Sequence, residues 1–133
     1  MADFDYHVVA LVPASPPFEV QTAIEALNSG GFEADLAQGG HCPGLRVVEP
    51  DGWGVVAWLE DDDEAREMNQ ELAASELPGG VTAEQIAGCT AQLSIWSDDD
   101  PDLMNAHVFE EVIQFLKERF GLYLFDNRLG EWR

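Results

Sequence analysis

The chain has 133 residues, 26 Asp and Glu against 6 Lys and Arg, and a formal net charge of -20. Such a field repels nucleic acid and anionic membranes and draws basic partners, which argues against direct nucleic-acid or membrane binding. A hydrophobic fraction of 46% with four tryptophans excludes a disordered polyelectrolyte, because disordered chains lack the apolar groups that offset ordering entropy.

The opening residues Met1-Ala2-Asp3-Phe4-Asp5 are acidic, where a signal peptide would be basic and then apolar. Tyr6 to Val12 is a short apolar run rich in β-branched residues, the pattern of a strand buried on both faces. Pro13 ends it, and Ser15-Pro16-Pro17 opens a helix to about Asn28, with Val20, Ile24 and Leu27 as its buried stripe. Ser29-Gly30-Gly31 stops that helix. Phe32, Ala34 and Leu36 alternate with Glu33 and Asp35, as in a half-exposed strand.

A glycine-rich loop from Gln38 to Gly44 follows. Leu45–Glu49 and Gly54–Glu60 read as paired strands around Pro50-Asp51-Gly52. Asp61-Asp62-Asp63-Glu64 supplies a helix start, and Ala65, Met68 and Leu72 give that helix a narrow apolar stripe. Leu77-Pro78-Gly79-Gly80 ends it. Thr82 with Gln85 fits a capping box for a short helix from about Ala83 to Gly88. Ala91, Leu93 and Ile95 alternate with Gln92, Ser94 and Trp96 as a strand.

The longest helix is expected from about Pro101 to Phe120, with Val108, Phe109, Val112, Ile113, Phe115, Leu116 and Phe120 on its apolar face and Gly121 as its cap. Leu122–Phe125 is a last strand before the turn Asn127-Arg128-Leu129-Gly130. The order β-α-β-β-β-α-(α)-β-α-β points to the α+β class: a single mixed or antiparallel sheet with helices mainly on one face, in one domain spanning 1–133. No apolar run approaches the ~20 residues of a membrane span. Cys42 and Cys89 match no CxxC or zinc spacing, so the thiols are expected reduced and the chain cytoplasmic.

Two acidic runs stand out: Asp61-Asp62-Asp63-Glu64, and Asp98-Asp99-Asp100 with Asp102. Each precedes a helix, and capping plus a solvated face is their ordinary reading. A calcium loop needs acids at alternate positions, a central glycine and a distal glutamate, and neither run has them. His41 and Cys42 adjoin in the glycine-rich loop, but a nucleophilic pair needs facing side chains and a third group to orient the base. The pairs Gly30-Gly31, Gly39-Gly40 and Gly79-Gly80 form no P-loop or dinucleotide fingerprint. No catalytic residue, cofactor or metal site is therefore assigned.

The tryptophans carry a sharper choice. Trp58 and Trp96 lie on expected strands, Trp53 at a turn and Trp132 near the C-terminus. Core burial is the ordinary fate of a strand tryptophan; on an exposed face ringed by acids it becomes an interface anchor. The leading expectation is a non-catalytic acidic module that masks a basic partner. That partner would be a toxin, making this an immunity or inhibitor protein, or a nucleic-acid-binding protein whose DNA surface this chain mimics. Asp61, Asp62, Asp63, Glu64, Asp98, Asp99, Asp100, Trp58 and Trp96 are the candidate binding residues. Two alternatives are acidity as adaptation to high salt, and a small divalent-metal-dependent enzyme using the aspartate runs.

Overall fold

A strand apolar on both sides of its pleat needs cover on both faces, and the run after Tyr6 receives it. The computed structural model describes residues 6–14, 18–40, 42–100, 104–126 and 129–133. The sequence expectations for Met1–Asp5, Ser15-Pro16-Pro17, His41, Pro101–Leu103 and Asn127-Arg128 therefore lie outside the described residues. Strand β1 is His7–Pro13. Its Val8, Ala10 and Val12 join the larger core, while Val9 and Leu11 join a smaller one on the opposite face.

Helix α1 (Val20–Ser29) buries Val20, Ala23, Ile24 and Leu27. The edge strand β2 (Ala34–Leu36) is shorter than its alternation suggests: Phe32 lies before it, packed edge-on to Phe115, and Leu36 is 52% exposed. Strands β3 (Gly44–Val48) and β4 (Gly54–Glu60) form the expected hairpin, closed by the Gly52 amide on the Glu49 carbonyl at 2.9 Å. Helix α2 (Asp63–Ala73) and the short α3 (Ala83–Ala87) follow, the latter with the Thr82–Gln85 capping box in place. Strand β5 (Cys89–Ser97) is the longest. Helix α4 (Ala106–Phe120) buries Val108, Phe109, Val112, Ile113 and Leu116, and Gly121 closes it in the left-handed conformation (φ 67°) that glycine adopts without steric cost. Strand β6 is Tyr123–Asp126 and β7 is Glu131–Trp132.

All described ladders are antiparallel, in the order β2-β3-β4-β5-β1-β6-β7. Helices α1 and α4 form the main helical layer on one face of the sheet. The smaller pair α2 and α3 covers only part of the other face, over Val9, Leu11 and Cys89. Strand β7 was not expected, because a two-residue strand leaves no periodicity. Long-range contacts hold it: the Arg133 amide donates to the Leu124 carbonyl at 2.9 Å, and the Arg133 guanidinium bridges Asp126 and Glu110.

One expected stripe is corrected. Ala65 of α2 is buried, but Met68 is 44% exposed and Asn69 is fully enclosed in its place. The Asn69 amide donates to the carbonyls of Cys89 (3.0 Å) and Ala91 (3.3 Å), and its oxygen accepts from the buried Gln92 side chain at 2.8 Å. The β4–β5 ladder ends at Glu60 opposite Gln92. Beyond that point Asn69 supplies donors that a neighbouring strand would otherwise provide, so a polar residue is what docks this helix.

Asn69→Ala would leave those buried groups unpaired and should cost about 1–3 kcal/mol. Met68→Ala should stay within about 0.5 kcal/mol, and Leu116→Ala should cost about 2–5 kcal/mol. Urea unfolding of the three variants checks the ranking.

Candidate functional site

Alternation along a strand sends successive side chains to opposite faces. Since Val55, Ala57, Leu93 and Ile95 face α1 and α4, Val56 and Trp58 of β4 and Ser94 and Trp96 of β5 face the other way. So do Arg46 of β3 and His7 of β1. Helices α2 and α3 do not reach this half of the face. The ladder registers align Arg46, Val56, Trp96 and His7 in one row across four strands, a span of about 14 Å at the usual strand spacing. The adjacent row holds Gly44, Trp58 and Ser94.

Trp96 is held in place although it is 38% exposed. Its ring stacks on the His7 imidazole with centroids 3.6 Å apart and planes 8° from parallel. Its indole N–H donates to Ser94 Oγ at 3.0 Å, and that hydroxyl also meets His7 Nε2 at 3.2 Å. Trp58 is half-buried and lies over Gly44, its cross-strand partner, and over Gly40 of the preceding loop. A Cβ at either glycine would collide with the indole, so both glycines are needed for the ring to lie there. The other two tryptophans are packed away: Trp53 is in the larger core with its N–H on the Asp99 carbonyl, and Trp132 packs edge-on against Phe125.

The two acidic runs have different fates. Asp61, Asp62, Asp63 and Glu64 are all exposed. Asp62 caps α2 through the Ala65 amide, and Asp63 has a loose pairing with Arg66 at 3.4 Å. Among the described residues of the second run only Asp99 is exposed. Asp98 accepts from the Gly54 amide and pairs with Arg46 at 2.8 Å. Asp100 is 2% exposed and accepts from the Tyr6 hydroxyl, the Met104 and Asn105 amides and the Asn105 side chain. Burial alone would raise its pKa, but these hydrogen bonds outweigh it and hold the carboxyl below the usual aspartate range. The structure thus brings Trp58 together with the first run and gives Asp98 and Asp100 internal partners.

A cavity of about 520 Å³ marks that meeting point, between Gly40, Cys42, Trp58, Glu60, Asp61, Asp62 and Glu64. Burial, then the charges of Asp62 and Glu64, push the Glu60 carboxyl above its ordinary range. Burial, then Glu60, Asp62 and Asp61, raise the Cys42 thiol, which disfavours the nucleophilic thiolate. Cys89 is pushed up to about 11 by burial. Among the described residues no group of three His, Cys, Asp or Glu side chains could hold a metal ion, and no helix is long and apolar enough to cross a membrane. A second cavity of about 340 Å³ lies beside Tyr6, His7 and Phe109, where Glu110 and Asp126 are already paired with Arg133. Both tryptophans stand out in the sequence, whereas His7, Ser94, Glu60 and Gly44 do not; strand alternation places Ser94 and Trp96 on one face, and only the register adds His7.

Comparison with protein-family models, curated protein sequences and solved structures gave no match.

Asp100 yields a prediction with a defined sign. Its folded pKa lies below its unfolded one, so its stabilisation is complete above the ordinary aspartate range and is lost as pH falls through the folded value. Asp100→Ala should cost about 1.5–3 kcal/mol at pH 7, a deficit that shrinks in acid. Denaturant unfolding across pH checks this.

Proposed function

We propose that this protein is a non-catalytic binding module that engages a basic protein through the uncovered half of the second sheet face. The observation that carries the reading is the immobilised, solvent-facing Trp96, clamped by His7 and Ser94. An aromatic ring already fixed on the surface loses little entropy when a partner covers it, and such rings are frequent centres of binding energy. Trp58 lies in the next row, bordered by the exposed carboxylates of Asp61, Asp62 and Glu64. Those charges favour encounter with a cationic surface, while the aromatics, once covered by the partner, supply the affinity.

The partner class is a protein whose own working face is positive. A toxin with a cationic active face would make this chain an immunity or inhibitor protein. A nucleic-acid-binding protein would make it a DNA mimic, its carboxylates lying where phosphates otherwise lie. The free thiols of Cys42 and Cys89 fit a reducing, cytoplasmic setting.

Affinity capture from the native cell, followed by association kinetics with the purified basic protein, tests the reading. Association should slow as salt rises, because rim charges act mainly on encounter. Converting Asp61, Asp62 and Asp63 together to Asn should slow it at constant salt, and Trp96→Ala should weaken binding by about 2 kcal/mol or more, mainly through faster dissociation. Kinetics indifferent to salt and to all of these replacements would contradict the proposal.

A further inference from the structure

Four carboxylates alone do not make a site, since a solvated acidic face is ordinary. Here they border a cavity that also has an aromatic wall. Trp58 lines it together with Glu60, Asp61, Asp62, Glu64, Gly40 and Cys42. None of these lining residues carries positive charge. The nearby Arg66 is directed to Asp63, which is not part of the lining. The other described cations are also used elsewhere: Arg46 on Asp98, Arg133 on Asp126 and Glu110, Lys117 on the Arg133 carbonyl, and Arg119 against the Phe120 ring. The carboxylates around Trp58 thus face one another without a counter-charge from the described chain, and the upward push on Glu60 by burial, Asp62 and Glu64 is the expected consequence.

We infer that this cavity receives one arginine side chain of the partner, its guanidinium lying against the Trp58 indole and its N–H groups on the surrounding carboxylates. The inference rests on the proposed docking role of this sheet face and names the chemistry of one contact within it. Indole is the best aromatic surface for a cation. The planar guanidinium both stacks on rings and presents a fork of donors to carboxylates, and it is more weakly hydrated than an ammonium group, so it loses less on leaving water. A calcium ion is the poorer fit: it needs six to eight converging oxygens, and the described side chains offer no cluster of three metal ligands. The glycines at 40 and 44 give the inference its structural basis, because any side chain at either position would displace the ring that forms the wall.

The test uses the intact protein and three small probes: N-acetyl-arginine amide, its lysine counterpart and its uncharged citrulline isostere. The readout is the NMR shift of the Trp58 indole N–H and of the backbone amides of residues 60–64. The arginine probe should move these signals and leave the Trp53 indole unmoved; the lysine probe should bind more weakly, and citrulline should produce no saturable shift. Trp58→Leu should weaken the arginine probe roughly tenfold, read on the residue 60–64 amides, and Trp58→Phe should retain most of the binding. Should Trp58→Leu not fold, Glu60→Gln with Asp62→Asn gives the same reading, since Asn preserves the α2 cap; arginine binding should again fall about tenfold. Equal shifts from citrulline, or arginine binding unchanged in these variants, would overturn the inference. The two readings fail separately. Loss of the partner on Trp96→Ala with no arginine response at Trp58 removes the cavity alone, whereas a partner indifferent to Trp96 and to the acidic run removes the docking face.

Discussion

The structure depends on where α2 is pinned. A sheet can leave a face open only where no helix is held against it, and the hold on α2 is the Asn69 side chain on the β5 backbone. With Gln92 completing the network, each buried amide group has a partner that apolar packing could not replace. The contact lies at the start of β5, past the end of the β4 ladder. It therefore draws α2 and α3 over Val9 and Leu11 and away from Val56, Trp58 and Trp96. The open half of the face follows from that anchor, as the covered face opposite follows from the apolar stripes of α1 and α4.

Charge acts on top of this frame. With 26 acids against 6 basic residues, ion pairs join few of the described carboxylates, and two of the described cations hold parts of the fold together. Arg46 holds the β3–β4 hairpin to Asp98, and Arg133 fastens the chain after β7 to Asp126 and Glu110. What faces solvent is close to single-signed, which favours solubility and rapid encounter with cations. The aromatic rows lie within that diffuse field. His7 and Ser94 hold Trp96, and Gly40 and Gly44 seat Trp58 beside the carboxylates of the β4–α2 junction.

Features written in short stretches of chain were legible. The β1 run, the α4 stripe, the Thr82–Gln85 box and the β3–β4 turn all depend on neighbours within a few residues. Features set by distant partners were not. Asn69 shares a face with Ala65, yet hydropathy favoured Met68; the decisive bonds join residues about twenty positions apart. The acidic runs look alike as sequence, but Asp98 meets Arg46 and Asp100 meets Tyr6 across 52 and 94 positions of the chain, while the first run meets solvent. The tryptophans divide in the same way: Trp58 and Trp96 were named from strand position, but Trp53 at its turn proves to be the core residue.

The proposed role places binding of a basic protein on the open sheet face, and not on acidity alone. Hydroxyl-radical footprinting of the intact complex tests it most directly, with oxidation of each tryptophan read by mass spectrometry against the free protein. The account predicts that Trp58 and Trp96 become protected while Trp53 and Trp132 oxidise as before. Trp58 and Trp96 oxidising in the complex at their free rates would contradict it.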